Sequence, residues 1–402
     1  MFFSLLQIVA VEGYRYSVTK DYERFVRNVC RRTVDVNIVF IKLFQAFMIK
    51  YSPSTMDLTQ DILPNDTTTA PDIAEVVLSN EKIGSGLVSV VFPAVYKERD
   101  VVVKVKRKNV GQEIEKGLRF VRTLFWWANL FPFFYKFNLL MLHDEIKTML
   151  LEQTDFKQEV ENQNQFRKRL EYNPLVVVPE IFAFSDDYIV MERVVPVKEL
   201  DQEKEHYAKL FIQITVKMTL LDGLIHADVH PGNFLFLKEG KIALIDFGLV
   251  LKLTLEQQND YLILCGALSE SDYAKAAAIS LERYFIRTRQ RKENKEKDKH
   301  EDEYEDKDEY EDKDEDKDED KEKAVEVLRK IYSHCDEDGN NIGVKEVSDM
   351  IVKLQPLGYV MTPYFYKVIM SMVASETFIQ TLSPNMKTIF KEEIKKVCEL
   401  CL

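Results

Sequence analysis

No uncharged stretch in this 402-residue chain reaches the roughly 20 residues that a membrane-spanning helix needs. The longest, Thr123 to Tyr135, stops well short, but its content is unusually aromatic: Phe125, Trp126, Trp127, Phe131, Phe133 and Phe134. Core packing is the favoured reading, and an interfacial patch is the alternative, because Trp and Tyr suit the membrane boundary. Cysteine is scarce and odd in number, at Cys30, Cys265, Cys335, Cys398 and Cys401. That count argues against a disulfide framework and for reduced thiols in a cytosol-like compartment. Cys398 and Cys401 sit on a lysine-rich helical pattern, so two thiols on one face is the plain reading. A prenylated Cys would stand fourth from the end, where the chain has Glu399. The N-terminus is largely apolar only as far as Glu12, and Asp21 and Glu23 follow, which does not support a mitochondrial presequence. The expected location is cytoplasmic or at a membrane periphery.

A basic excess is also missing. The formal net charge is −12, and residues 291–323 account for most of it, with 19 acidic against 10 basic side chains. The remaining 45 basic and 48 acidic residues nearly balance, so nothing points to nucleic acid as a partner. The charged run repeats Glu, Asp and Lys with no apolar partner to bury, which predicts a disordered or weakly helical insert at about 289–323. The rest, 46% hydrophobic overall, can bury a large core.

Residues 20–50 alternate charged and apolar positions at helical spacing, and polar breakers follow from Ser52 to Pro71. The pattern then changes to strands at Glu75–Ile83, Val88–Tyr96 and Asp100–Val105. Helical spacing covers 112–172. Short strands follow around Pro179–Ala183 and Tyr188–Glu192, then an apolar helix, Glu203–Leu221. A hairpin joins Phe234–Leu237 to Lys241–Ile245, and the remainder reads as helix. The predicted class is α+β: a helical extension over 1–72, a small β-rich lobe over 73–196 with a helical insertion, and a helical lobe over 197–402.

The chemistry concentrates between His226 and Gly248. Phosphoryl transfer needs metal ions on the phosphates and a carboxylate that orients the attacking hydroxyl. Asp228 is placed for the carboxylate role. Asn233, five residues on, and Asp246, beyond the hairpin, are oxygen donors suited to Mg²⁺. Any one of these alone reads as a turn residue or a cap; their order and the strand before Asp246-Phe247-Gly248 argue otherwise. Gly232 and Gly248 would permit the turns that aim those side chains. Upstream, Lys104 lies inside the apolar strand Val101–Val105, where it is costly without a partner. It is expected to reach the α- and β-phosphates of ATP or ADP and to pair with Glu159; an edge lysine facing water is the alternative. Gly84, Ser85 and Gly86, about twenty residues before that lysine, would cover the phosphates.

The stretch Leu224–Phe236 together with Ala243–Gly248 resembles the UbiB, or aarF-domain, family of atypical kinase-like proteins. Phe40–Gln45 looks like that family's lysine–x–glycine–glutamine helix, Asp61–Pro64 like the segment after it, and Leu150–Phe166 like its glutamate–x–aspartate region. The resemblance covers most of 25–285 and 325–390. It implies a two-lobe protein-kinase-like fold, with Lys104 and Glu159 as the ion pair, Asp228 as the catalytic-loop aspartate, and Asn233 and Asp246 on the metal. It also implies that Met191, Glu192 and Val194 meet adenine, and that Lys42, Gln45 and Asp155 are regulatory, with Lys42 docked near Asp155. Phe44 replaces the family's glycine and Gln153 its first acid, which predicts a looser restraint.

Ala227 replaces an arginine that grips phosphorylated activation loops in many protein kinases. Between Gly248 and the helix after Gln257 there is no long activation segment and no Ala-Pro-Glu. A small, lipid-like or isoprenoid substrate, or ATP hydrolysis alone, is therefore favoured over a protein substrate. Two alternatives stay open: a small-molecule kinase of the aminoglycoside or choline type, and a nucleotide-binding pseudokinase scaffold. Asp336–Asn340 with Glu346 has some features of a calcium loop, but Asn341 stands where glycine is required, and a polar interhelical loop is expected.

Overall fold

Alternation of β-branched residues builds the first sheet. In the computed structural model, which describes residues 1–44, 68–69, 71–131, 139–197, 204–229, 232–287, 312–337, 344–380, 382–383 and 386–401, β1 (Val76–Leu78), β2 (Gly84–Ser85), β3 (Ser89–Tyr96) and β4 (Arg99–Lys106) precede three helices. These are α3 (Val110–Ala128), α4 (Leu139–Gln153) and α5 (Phe156–Leu170), and they follow the N-terminal pair α1 (Phe2–Thr19) and α2 (Tyr22–Val34). The chain then adds β5 (Val176–Val177), β6 (Ile181–Phe184) and β7 (Tyr188–Glu192). The sheet runs β1-β3-β4-β7-β6 with β2 beside β3, and its pairings are antiparallel.

Strand periodicity sorts its two faces. Val101, Val103 and Val105 enter a core with Val90, Phe92 and Val190. Val102 faces the other way, onto Phe156, Val160, Ile189 and Met191. Lys104 shares the parity of Val102 and so is carried to the α5 side.

Past α6 (Lys204–Leu220), β8 (Leu224–His226) leads to the loop holding Asp228, and β9 (Phe234–Phe236) pairs with β10 (Ile242–Leu244), which also pairs with β5 in parallel. β11 (Val250–Lys252) follows directly. The described residues divide into two compact units. One holds 1–211, 226–251 and 377–383, so the loop and hairpin expected in the helical lobe cluster with the β-rich part instead. The other holds 212–225, 252–376 and 384–402. Its core gathers α7 (Leu255–Ser269), α8 (Tyr273–Tyr284), α9 (Asp312–Glu337), α10 (Val344–Leu354) and the start of α11 (Pro363–Gln380), with Tyr284 stacked on Phe365 at 4.0 Å. The expected all-helical remainder is interrupted by a ribbon, β12 (Phe285–Arg287) with β13 (Tyr359–Met361), before α12 (Met386–Cys401).

Of the two forms expected for the charged run, helix is the one seen over 312–323, the first turns of α9, where Arg287 meets Asp320 at 3.3 Å; 288–311 lie outside the described residues. Core packing fails for Trp126, Trp127 and Phe131, which are exposed, while Phe125 is buried. An apolar stretch without polar punctuation does not reveal which face looks outward. Gln45, Asp61–Pro64 and most of the calcium-like loop (338–343) also lie outside the described residues. Cys30, Cys265 and Cys335 are buried free thiols.

Candidate active site

Three side chains meet where β4, α5 and the segment after β10 converge. Lys104 Nζ lies 2.5 Å from Glu159 Oε1 and 2.7 Å from Asp246 Oδ2, and it is almost fully buried. Asp246 Oδ1 accepts the Gly248 N–H at 3.0 Å. Burial would raise the Asp246 carboxyl, but the Lys104 ammonium prevails and holds it at about 2. Burial opposes the charge on Lys104 as well, and the two carboxylates overcome it and push its pKa up. Glu159 goes the other way. Its burial outweighs Lys104 and moves it up to about 7, and its Oε2 is buried without a hydrogen-bond partner. The ammonium thus stands between the two carboxylates, within hydrogen-bond reach of both.

Backbone contacts hold these loops together. His226 Nε2 donates to Asp246 O at 2.6 Å, and its Nδ1 lies 3.4 Å from the Asp228 N–H, an arrangement that fits the neutral tautomer. Asn233 Nδ2 donates to Asp228 O at 2.8 Å, and Ile245 N donates to Asn233 O. Asn162 Nδ2, one turn beyond Glu159, donates to Phe247 O at 3.0 Å. Phe247 is fully buried against Phe166 and His226.

The Asp228 carboxylate is covered at both ends. Gln153 Nε2 donates to Oδ2 at 3.1 Å, and Lys42 Nζ stands 3.7 Å from Oδ1. The expected partner of Lys42 was Asp155. Asp155 is instead exposed and caps α5, accepting the Gln158 N–H at 3.0 Å. The correction is physical: an Asp just before a helical run satisfies an orphan backbone donor, and that duty leaves the stronger demand for a cation with the half-buried Asp228.

Asp246 and the amide oxygen of Asn233 suit Mg²⁺, which takes few protein ligands and keeps waters. No group of three or more acidic, His or Cys side chains that could hold a metal ion is found among the described residues. The Gly84–Gly86 loop is tied by Arg107, whose guanidinium donates to Gly86 O at 2.8 and 3.0 Å and to Ser85 Oγ at 2.8 Å. At the end of β7, Met191 is buried, Glu192 has its N–H on Glu180 O, and Val194 is half-buried. The Glu192 N–H is thereby committed to the sheet.

A family model described as the ABC1 atypical kinase-like domain matches residues 52–280. The chain belongs to this family. The ABC1 chain has the kinase-like α+β fold of that domain. It is similar to a protein of Paramecium bursaria Chlorella virus 1 described as a putative ABC transporter, with 25% identity over 58% of this chain and 51% of that protein. A probable protein kinase UbiB from Pectobacterium carotovorum is 27% identical over 47% of this chain and 37% of its own length. In Arabidopsis thaliana, the chloroplastic protein Activity of BC1 complex kinase 3 is 30% identical over 43% of this chain and 26% of its own. The chain spans about half the length of the viral relative and less of the other two.

Several residues of the ABC1 site are not marked by their motifs. His226 and Asn162 lie inside Leu224–Phe236 and Leu150–Phe166 at positions with no expected role. Arg107 follows a strand with no motif around it. Gly117 had a signal: glycine inside a helix costs about 1 kcal/mol against alanine and so asks for a reason. The reason is close approach. A Cβ there would stand 2.0 Å from Asn37 Oδ1 and 2.7 Å from Val39. Asn37 donates to Glu113 O and accepts the Val39 N–H, which starts the helical segment 39–44 that bears Lys42. Gly248 answers to space as well, since a Cβ there would meet Asp246 Oδ1 at 3.3 Å.

Proposed function

We propose that this chain binds ATP with Mg²⁺ and catalyses phosphoryl transfer to a small, lipid-like or isoprenoid acceptor, or hydrolysis of ATP. The observation that carries the reading is the joining of Lys104, Glu159 and Asp246 in one ion-paired cluster, with Asp246 at its more open edge, although 142 positions separate the first from the last. Mg²⁺, when bound, would neutralise the phosphates. This chain's residues do the rest. Asp246 would hold the metal in place of its contact with Lys104, which would leave the ammonium, seated on Glu159, to meet the phosphates. Asn233 fixes the loop backbone at Asp228. Asp228 must lose Lys42 and Gln153 before it can accept a proton from a hydroxyl. That requirement describes a resting form, with Lys42 as its regulatory plug.

A small acceptor is supported by the short path from Gly248 to α7, which contains only β11 and leaves no platform for a peptide. The test is titration of a fluorescent ADP analogue with and without Mg²⁺. Asp246→Asn should weaken Mg²⁺-dependent binding by tenfold or more, on the order of 1.4 kcal/mol. Equal affinity and equal metal dependence in a folded variant would remove the assignment.

A further inference from the structure

No described helix is long and apolar enough to cross a membrane, yet two helices of the first unit expose apolar side chains in groups. α1 presents Phe2, Phe3, Leu6 and Val9, with Phe3 84% exposed. The end of α3 presents Trp126, Trp127, Leu130 and Phe131, the two indoles 54% and 57% exposed. Both groups flank one buried cluster: Leu5 packs against it from α1, and Phe125 and Ala128 belong to it or pack on it from α3. A single exposed apolar residue needs no account, but grouped aromatics at two flanks of one cluster do.

Charge says what would cover them. Residues 1–44 and 106–131 carry 13 basic and 6 acidic side chains on a chain whose net charge is −12, and of the basic ones Lys42 and Arg107 are turned inward, to Asp228 and to the Gly84–Gly86 loop. On α2, Arg24, Arg27 and Arg31 recur at helical spacing and are exposed. On α3, Lys116, Arg119 and Arg122 precede the indoles on the exposed face. Arg119 stands 3.5 Å from Glu115, a solvated pair too exposed to silence the stripe. Along α3, the outward face therefore passes from cations to indoles. Cations at the level of anionic headgroups and tryptophan at the boundary below them is the order a lipid surface selects. A second copy of this chain would set the same cations against each other, which opposes self-association.

We propose that the α1 start, α2 and the α3 end form a peripheral docking surface for an anionic lipid bilayer. The chain supplies its own probe, because its only two tryptophans are Trp126 and Trp127. The full chain is mixed with vesicles of phosphatidylcholine alone, or of phosphatidylcholine and phosphatidylglycerol in equal parts, and both indole emission and co-sedimentation are read. The expected result is a blue shift and sedimentation with the anionic vesicles only, reversed by high salt. Arg119→Glu/Arg122→Glu should lose the shift, and Trp126→Ser/Trp127→Ser should lower partitioning by about tenfold or more, without change in circular dichroism. Unchanged emission and no sedimentation would overturn the proposal. So would equal binding to neutral vesicles, or lipid-free self-association that shields the indoles, which would assign the surface to a second copy.

Discussion

Lys104 holds its charge between two carboxylates of opposite habit, and this sets a pH dependence. Glu159 is raised to about 7 by burial, so the folded protein binds its proton more tightly than the unfolded chain does. Its contribution to stability is fully present below the ordinary glutamate range near 4.5 and is lost as the pH rises through about 7. Asp246, lowered to about 2, contributes constantly across that window. The melting temperature of the nucleotide-free protein should therefore fall between pH 4.5 and 7 relative to Glu159→Gln, and a constant difference between the two would contradict this account. Lys104→Met removes the shared cation and leaves both acids uncompensated, which should cost about 3 kcal/mol in chemical denaturation.

At the scale of elements, Gly117 decides where Lys42 stands. Gly117→Ala drives a methyl into Asn37 and Val39, an overpacking worth about 1–3 kcal/mol, and it should push the 39–44 segment away from Asp228. The expected outcome is a lower melting temperature together with faster basal ATP hydrolysis, with Lys42→Ala matching the second effect and not the first. If Gly117→Ala lost stability alone, the segment would not be the plug. Much of this site was legible beforehand, because its chemistry is written in local order. Strand parity around Lys104, the hairpin before Asp246 and the five-residue step from Asp228 to Asn233 are each read from neighbours in the chain. What escaped depends on contacts between distant segments. Arg107 meets a loop 21 residues away, and Gly117 matters only because Asn37 approaches it. Asp155 could have been read correctly: an acid directly before an apolar helical position is a cap signal. The exposure of Trp126 and Trp127 could not, since the aromatic stretch offers no polar side to orient it.

The whole molecule tolerates change unevenly along its length. Residues 288–311 are charged or polar apart from Tyr304 and Tyr310, so joining Arg287 to Asp312 through a short glycine-serine linker should leave nucleotide binding unchanged and the melting temperature within a few degrees. Extending the cut to 323 removes the first turns of α9 and the Asp320 contact, and should lower it measurably. The far end of the chain is a different case. The short segment 377–383 belongs to the first unit although it follows most of the second. Phe378 stacks on Phe234 at 5.6 Å and meets Phe211 at 5.4 Å, directly behind the hairpin that aims Asn233 and Asp246. A nonsense codon anywhere before 378 therefore reaches the candidate site from behind, however remote it looks on a gene map. Such an allele would behave as a loss of the kinase-like centre, not as a trimmed tail.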